Sequence, residues 1–160
     1  MLLRKLMSDV IQTLGVGHVE VCYADEIFRD DKIELTPDII FTDWSPVLDG
    51  INLIKAIRTS KANLDRYIPV VVVSAFTDID HVCEARDAGM TEYLAKPVSG
   101  ESICRRICSL VEHPREFIDT MMYIGPDRRR REHGFGGGEK RAQPLMAGPS
   151  AQRVLEQAVH

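Results

Sequence analysis

No apolar run in this 160-residue sequence approaches the ~20 residues that a membrane-spanning helix needs. The first residues, Met1 to Met7, are interrupted by Arg4 and Lys5 too early for the apolar core of a secretory signal. The expected compartment is therefore the cytoplasm. There is no internal repeat, and no glycine-rich phosphate loop follows a strand, which counts against a nucleotide-dependent enzyme. The four cysteines, Cys22, Cys83, Cys104 and Cys108, form no CxxC pair, and the five histidines are scattered without ligand spacing. Cys104 and Cys108 lie one helical turn apart. They read as small buried hydrophobes on a helix, with a metal or redox role as the lesser alternative.

What is present is ordinary for a soluble globular chain: 44% hydrophobic and 28% charged residues, with a net charge of −4. The charge is uneven. Residues 1–112 carry 12 Lys and Arg against 18 Asp and Glu, whereas residues 113–160 carry 8 against 6. An acidic globular part is a poor match for the phosphate backbone of duplex DNA.

Hydrophobic periodicity divides the first part into alternating helices and strands. Leu3, Leu6, Met7, Val10 and Leu14 recur at a helical period over residues 2–14, and Gly15 and Gly17 end that helix. Residues 18–23 alternate Val19, Val21 and Tyr23 with other residues and predict a strand. Residues 24–35 predict a short polar helix anchored by Ile27 and Phe28. The helix over residues 50–60 turns Ile51, Ile54 and Ile57 inward and Lys55 and Arg58 outward. Pro69 to Ser74 is a β-branched strand too apolar for a sheet edge. Thr77 to Asp80 opens the next helix as a capping-box variant, and Gly89 closes it. Thr91 to Ala95 is a short strand closed by Lys96-Pro97. Ser99 caps a last helix whose apolar face is Ile103, Ile107, Leu110 and Val111. Helices alternating with strands over crossover-length connections predict an α/β doubly wound parallel sheet.

Beyond His113 the pattern changes. Phe117, Ile118, Met121 and Met122 predict two further helical turns. Arg128 to Arg131 and a run rich in glycine and proline then predict a disordered tail.

The centre of the chain is Asp38-Ile39-Ile40-Phe41-Thr42-Asp43-Trp44, followed by Ser45-Pro46 and Asp49-Gly50. The apolar run predicts a strand covered on both faces, which places Asp43 at its carboxyl end. Parallel strands bring all carboxyl ends to one rim, where open α/β sheets hold their ligands. Asp43, Ser74 and Lys96 therefore converge although they are far apart in sequence. A carboxylate, a hydroxyl and an ammonium at one rim suit an oxyanion carried on the aspartate.

These stretches, together with Ala88-Gly89-Met90-Thr91-Glu92-Tyr93-Leu94-Ala95-Lys96-Pro97, resemble the receiver domain of bacterial two-component response regulators over about residues 2–112. The resemblance implies a flavodoxin-like fold with strand order 2-1-3-4-5. It implies that Asp43 accepts a phosphoryl group from a histidine kinase or phosphotransfer protein, with Mg²⁺ at the site. Ser74 and Lys96 match the residues that bind the phosphoryl group, Tyr93 matches the switch aromatic, and Lys96-Pro97 matches a cis peptide. The Ser45 backbone carbonyl matches a metal ligand. The output face would be the Tyr93 region with its two neighbouring helices, acting on a downstream protein.

Two departures stand out. The family places a strand and two acidic residues before the first helix, and this chain begins inside that helix. It therefore reads as an N-terminally incomplete receiver, lacking its first strand and acidic pair, with Mg²⁺ binding weak or lost. Strand exchange with a second copy, or a strand from the tail, is an alternative filling for the gap. The loop after Asp43 is also one residue shorter than usual. The domain organisation is thus a receiver at residues 1–112, then an extension at 113–160 with no DNA-binding domain. The expected function is a phosphoacceptor in a two-component relay, not an enzyme. The alternative is a degenerate receiver that acts as a phosphorylation-independent interaction module.

Overall fold

The structure, a computed structural model, describes residues 2–15, 17–23, 27, 37–45, 49–59 and 65–129, with side chains from residue 5 onward. Its elements are α1 (Leu2–Thr13), β1 (Ile40–Trp44), α2 (Gly50–Thr59), β2 (Val70–Ser74), α3 (Ile79–Ala88), β3 (Glu92–Ala95), α4 (Gly100–Glu112), β4 (Phe117–Asp119) and β5 (Ile124–Pro126). Strands β1, β2 and β3 form one parallel sheet in that order, with Asp43 opposite Val73 and Ser74 opposite Ala95.

The two-residue period of a strand sends alternate side chains to opposite faces. Ile40 and Trp44 of β1, with Val70 and Val72 of β2, pack against Ile51, Ile54 and Ile57 of α2 and Ala85 and Ala88 of α3. On the other face Val71, Val73 and Leu94 pack against Met7 and Ile11 of α1 and Ile103 and Leu110 of α4. This is the doubly wound α/β architecture that the alternation of elements predicts. Strand β2 is buried along its whole length. Burying each of its four valines stabilises the fold by roughly 1.5–3 kcal/mol relative to exposure.

The helix termini follow local chemistry. Ser99 accepts from the Ser102 N–H, and Ser102 accepts from the Ser99 N–H, a reciprocal box at the start of α4. At α3 the cap is Asp78, which accepts from the His81 N–H, rather than Thr77 one residue earlier. Asp78 wins because its carboxylate also reaches His81 Nδ1 at 2.6 Å.

Several expectations are overturned. Residues 18–23 form no strand, and Val21 and Tyr23 point to solvent. Within the described sheet β1 is paired only with β2, and Cys22 and Val19 of that segment pack against the core from outside the sheet. Leu6 of α1 and Leu14 just after it are exposed, while Met7 and Ile11 carry the contact with α4. The predicted helical turns after His113 are instead an antiparallel hairpin, with Phe117 opposite Pro126. Arg58 is not outward but 2% exposed. The predicted helix at 24–35 and the tail beyond Arg129 lie outside the described residues, apart from the buried Ile27.

The hairpin explains Arg58. It lies across the amino-end rim of the sheet, where α2 and α3 finish. Gly89 there has φ +100°, and a Cβ on it would meet the Ile124 carbonyl oxygen at 2.5 Å. The close approach of the two chains therefore requires glycine. The Arg58 guanidinium lies 5.1 Å from the Phe117 ring centre and donates to the carbonyls of Gly89, Arg66 and Ile68 at 2.7–3.0 Å. Burial lowers its pKa to about 10, so it remains charged at neutral pH.

Candidate functional site

The site is built where β1, β2 and β3 end. Asp43, next to last in β1, lies on the half-buried side of the strand. Lys96, the first residue after β3, donates from Nζ to Asp43 Oδ1 at 2.8 Å, and both side chains are about a quarter exposed. The Lys96-Pro97 peptide is cis. The backbone N–H of Lys96 donates to the Ser74 carbonyl at 2.8 Å, which fixes the lysine to the end of β2. Asp43 and Lys96 are thus brought together by strand register, as the sequence implied.

Ser74 is placed at the same rim but is aimed differently. Its side chain is fully buried, its hydroxyl donates to the Trp44 carbonyl at 2.8 Å, and it accepts from the Phe76 N–H at 3.1 Å. The hydroxyl therefore clasps the ends of β1 and β2 rather than facing the carboxylate. Tyr93 packs against the first core cluster, and its hydroxyl donates to the Phe76 carbonyl at 2.6 Å. Ser74 and Tyr93 thus hold opposite ends of the segment 74–76.

The Asp49-Gly50 pair sets the approach of α2. Asp49 caps it, accepting from the Asn52 backbone and side chain at 3.0 and 2.5 Å. A Cβ on Gly50 would stand 2.7 Å from the Asp43 carbonyl oxygen, so any larger residue would push α2 away from β1. The shortened loop at residues 46–48 lies outside the described residues.

Sequence reasoning missed an aromatic cluster beside the site. Trp44 packs edge-on to Phe76 at 5.3 Å, and His81 stacks on Phe76 at 4.1 Å. The signal was the position of Trp44, immediately after Asp43 on the face opposite it.

The Mg²⁺ that the resemblance implies finds few donors here. Among the described residues the rim offers the Asp43 carboxylate, and no group of three or more His, Cys, Asp or Glu side chains is placed to hold a metal ion. Asp49 is committed to Asn52. These described donors do not make a complete Mg²⁺ site.

Comparison with known proteins identifies the family. The sequence model of the response regulator receiver domain matches residues 1–108. The chain belongs to the receiver domain family. It is 25% identical over 118 residues to chemotaxis protein CheY of Pseudomonas aeruginosa, covering 69% of this chain and 88% of that protein. It is 27% identical over 156 residues to the phosphate regulon transcriptional regulatory protein PhoB of Escherichia coli, covering 96% of this chain and 66% of that one. Its fold is similar to a crystal structure of a putative response regulator from Chloroflexus aurantiacus, with a TM-score of 0.57 over 67% of this chain and 86% of that chain at 24% identity. It is also similar to the receiver domain of a sensor histidine kinase from Pseudomonas aeruginosa, with a TM-score of 0.53 over 66% of this chain and 84% of that chain at 24% identity. That structure holds a magnesium ion in its active-site cleft. Among the described residues of the present receiver, no helix is long and apolar enough to cross a membrane.

Proposed function

We propose that this receiver is a phosphoacceptor in a two-component relay, with Asp43 as the acceptor. The observation that carries the reading is the Lys96–Asp43 ion pair at 2.8 Å, at the carboxyl ends of parallel strands. The ion pair uses Oδ1 and leaves Oδ2 without a hydrogen bond from any described residue. Oδ2 is the nucleophile. It attacks the phosphorus of a phosphohistidine on a kinase or phosphotransfer protein, the P–N bond breaks, and the departing imidazole takes up a proton. The product is an acyl phosphate on Asp43, and the Lys96 ammonium offsets the added negative charge.

Ser74 then becomes the switch. To donate to a phosphoryl oxygen its hydroxyl must leave the Trp44 carbonyl, and the Phe76 N–H loses its acceptor. The segment 74–76 shifts, and Tyr93, tied to the Phe76 carbonyl, shifts with it. Signalling follows through protein contacts around Tyr93 and its neighbouring helices. The chemistry is a self-catalysed transfer rather than turnover of a substrate. Mg²⁺ binds the chain weakly, because the described donors supply only one carboxylate.

That short donor set also favours a second reading, a receiver that binds its partner without being phosphorylated. Incubation with acetyl phosphate and Mg²⁺, followed by intact mass, separates the two. A gain of one phosphoryl group that Asp43→Ala abolishes supports the acceptor. No gain, with binding to the partner intact, supports the interaction module.

A further inference from the structure

Helix α4 packs Ile103 and Leu110 against the sheet and α1, and the opposite side of the helix is left to solvent. Two cysteines occupy that outer side. Cys104 is half-buried and Cys108 exposed, so they are not the buried hydrophobes that the sequence suggested. One turn of helix brings their sulfurs to 4.0 Å.

That spacing selects the chemistry. A tetrahedral zinc with Zn–S bonds of about 2.3 Å holds two thiolate sulfurs about 3.8 Å apart. A disulfide needs its sulfurs at about 2.0 Å, which would require the helix turn to distort. The pair therefore stands close to chelate spacing while α4 keeps its helical form. We infer that Cys104 and Cys108 form a two-thiolate site for a thiophilic divalent cation of the zinc and cadmium type.

Thiolate sulfur selects soft and borderline ions over Mg²⁺ and Ca²⁺, which take oxygen ligands. Among the described residues no third His, Cys, Asp or Glu side chain completes the set. The two sulfurs carry the binding, and the remaining coordination positions stay open to water. Binding releases both protons: M²⁺ plus two thiols gives M(S-Cys)₂ plus two H⁺. Occupancy therefore falls as pH is lowered. The site lies apart from Asp43 and is independent of the acceptor reading.

The test is titration of the full-length, reduced protein with Cd²⁺, read as the ultraviolet thiolate-to-cadmium charge-transfer band. The expected result is saturation at one Cd²⁺ per chain, with the band lost in Cys104→Ser and in Cys108→Ser. The double variant Cys22→Ser, Cys83→Ser keeps it. Circular dichroism of the serine variants shows that they fold. In the wild-type chain, Cd²⁺ should also protect Cys108 from alkylation, read by peptide mass. Absence of the band in the wild type, its survival in Cys104→Ser, or alkylation of Cys108 undiminished by Cd²⁺ overturns the site.

Discussion

The two rims of the same parallel sheet are built on opposite terms. At the amino-end rim a buried cation is fixed from several directions. Arg58 satisfies three carbonyls, Phe117 lies over it, and the β4–β5 hairpin closes the space against Gly89. Outside this knot, Arg66 and Tyr67 both reach Asp119, and Arg128 lies over Tyr123 while pairing with Asp87 at 3.0 Å. At the carboxyl-end rim the charges are half-buried and each is held by few bonds. Lys96 holds one oxygen of Asp43, and Ser74 holds a carbonyl that it must release to do anything else. On the proposed reading, one end is locked so that the other can rearrange. A switch needs its mobile groups on a rigid frame, and a phosphoacceptor reading of this sheet divides the two tasks between its ends.

The division can be tested by asking which end carries stability. The largest loss is expected from Arg58→Met, which leaves the buried carbonyls of Gly89 and Ile68 and the part-buried carbonyl of Arg66 without their donor. Unfolding in urea should show a loss of roughly 3–5 kcal/mol. Next comes Gly89→Ala, which places a Cβ 2.5 Å from the Ile124 carbonyl at φ +100°. It should cost roughly 2–3 kcal/mol in the same measurement. At the other rim Lys96→Ala should change stability by less than about 1 kcal/mol, because the ion pair is partly solvated. It should nevertheless slow phosphoryl uptake from acetyl phosphate. If Lys96→Ala unfolds the chain as readily as Arg58→Met, the contrast between the rims is wrong.

The smallest effect concerns the Asp78 cap, which begins α3 at the carboxyl-end rim. The hydrogen bond from His81 holds the Asp78 carboxyl below its ordinary value of 3.8. A carboxyl lowered in the folded state contributes stability above that ordinary value and loses it as pH falls through the folded value. The helical circular dichroism of the wild type should weaken slightly more than that of Asp78→Asn as pH drops below 3.8. Identical acid titrations would remove Asp78 from the account.

The carboxyl-end rim was the more legible of the two in sequence. A β-branched run marks β2 whatever surrounds it, and strand ends at Asp43, Ser74 and Lys96 meet by topology alone. The aim of the Ser74 hydroxyl was not legible, since it depends on the Trp44 carbonyl across the register. The amino-end rim was misread for a connected reason. Arg58 follows the last core isoleucine of α2 and reads as solvated unless something covers it. What covers it is the hairpin, and its strands are only three residues long, too short to show an alternating period. Phe117, Ile118, Met121 and Met122 then mimic helical spacing, although Met121 and Met122 are fully exposed at the hairpin turn. The Gly125-Pro126 pair was the available signal against a helix. Residues 18–23 take no strand conformation, because alternation of apolar residues alone does not set a ladder.

The central claim is that Asp43 is the residue that becomes phosphorylated. The most direct measurement traps the acyl phosphate with borohydride after incubation with acetyl phosphate and Mg²⁺, then sequences the peptides by mass. Reduction converts a phosphorylated aspartate to its alcohol. The account predicts that alcohol at position 43, and none there in Lys96→Ala at short times. Modification at another carboxylate, or none at position 43 at any time, contradicts it.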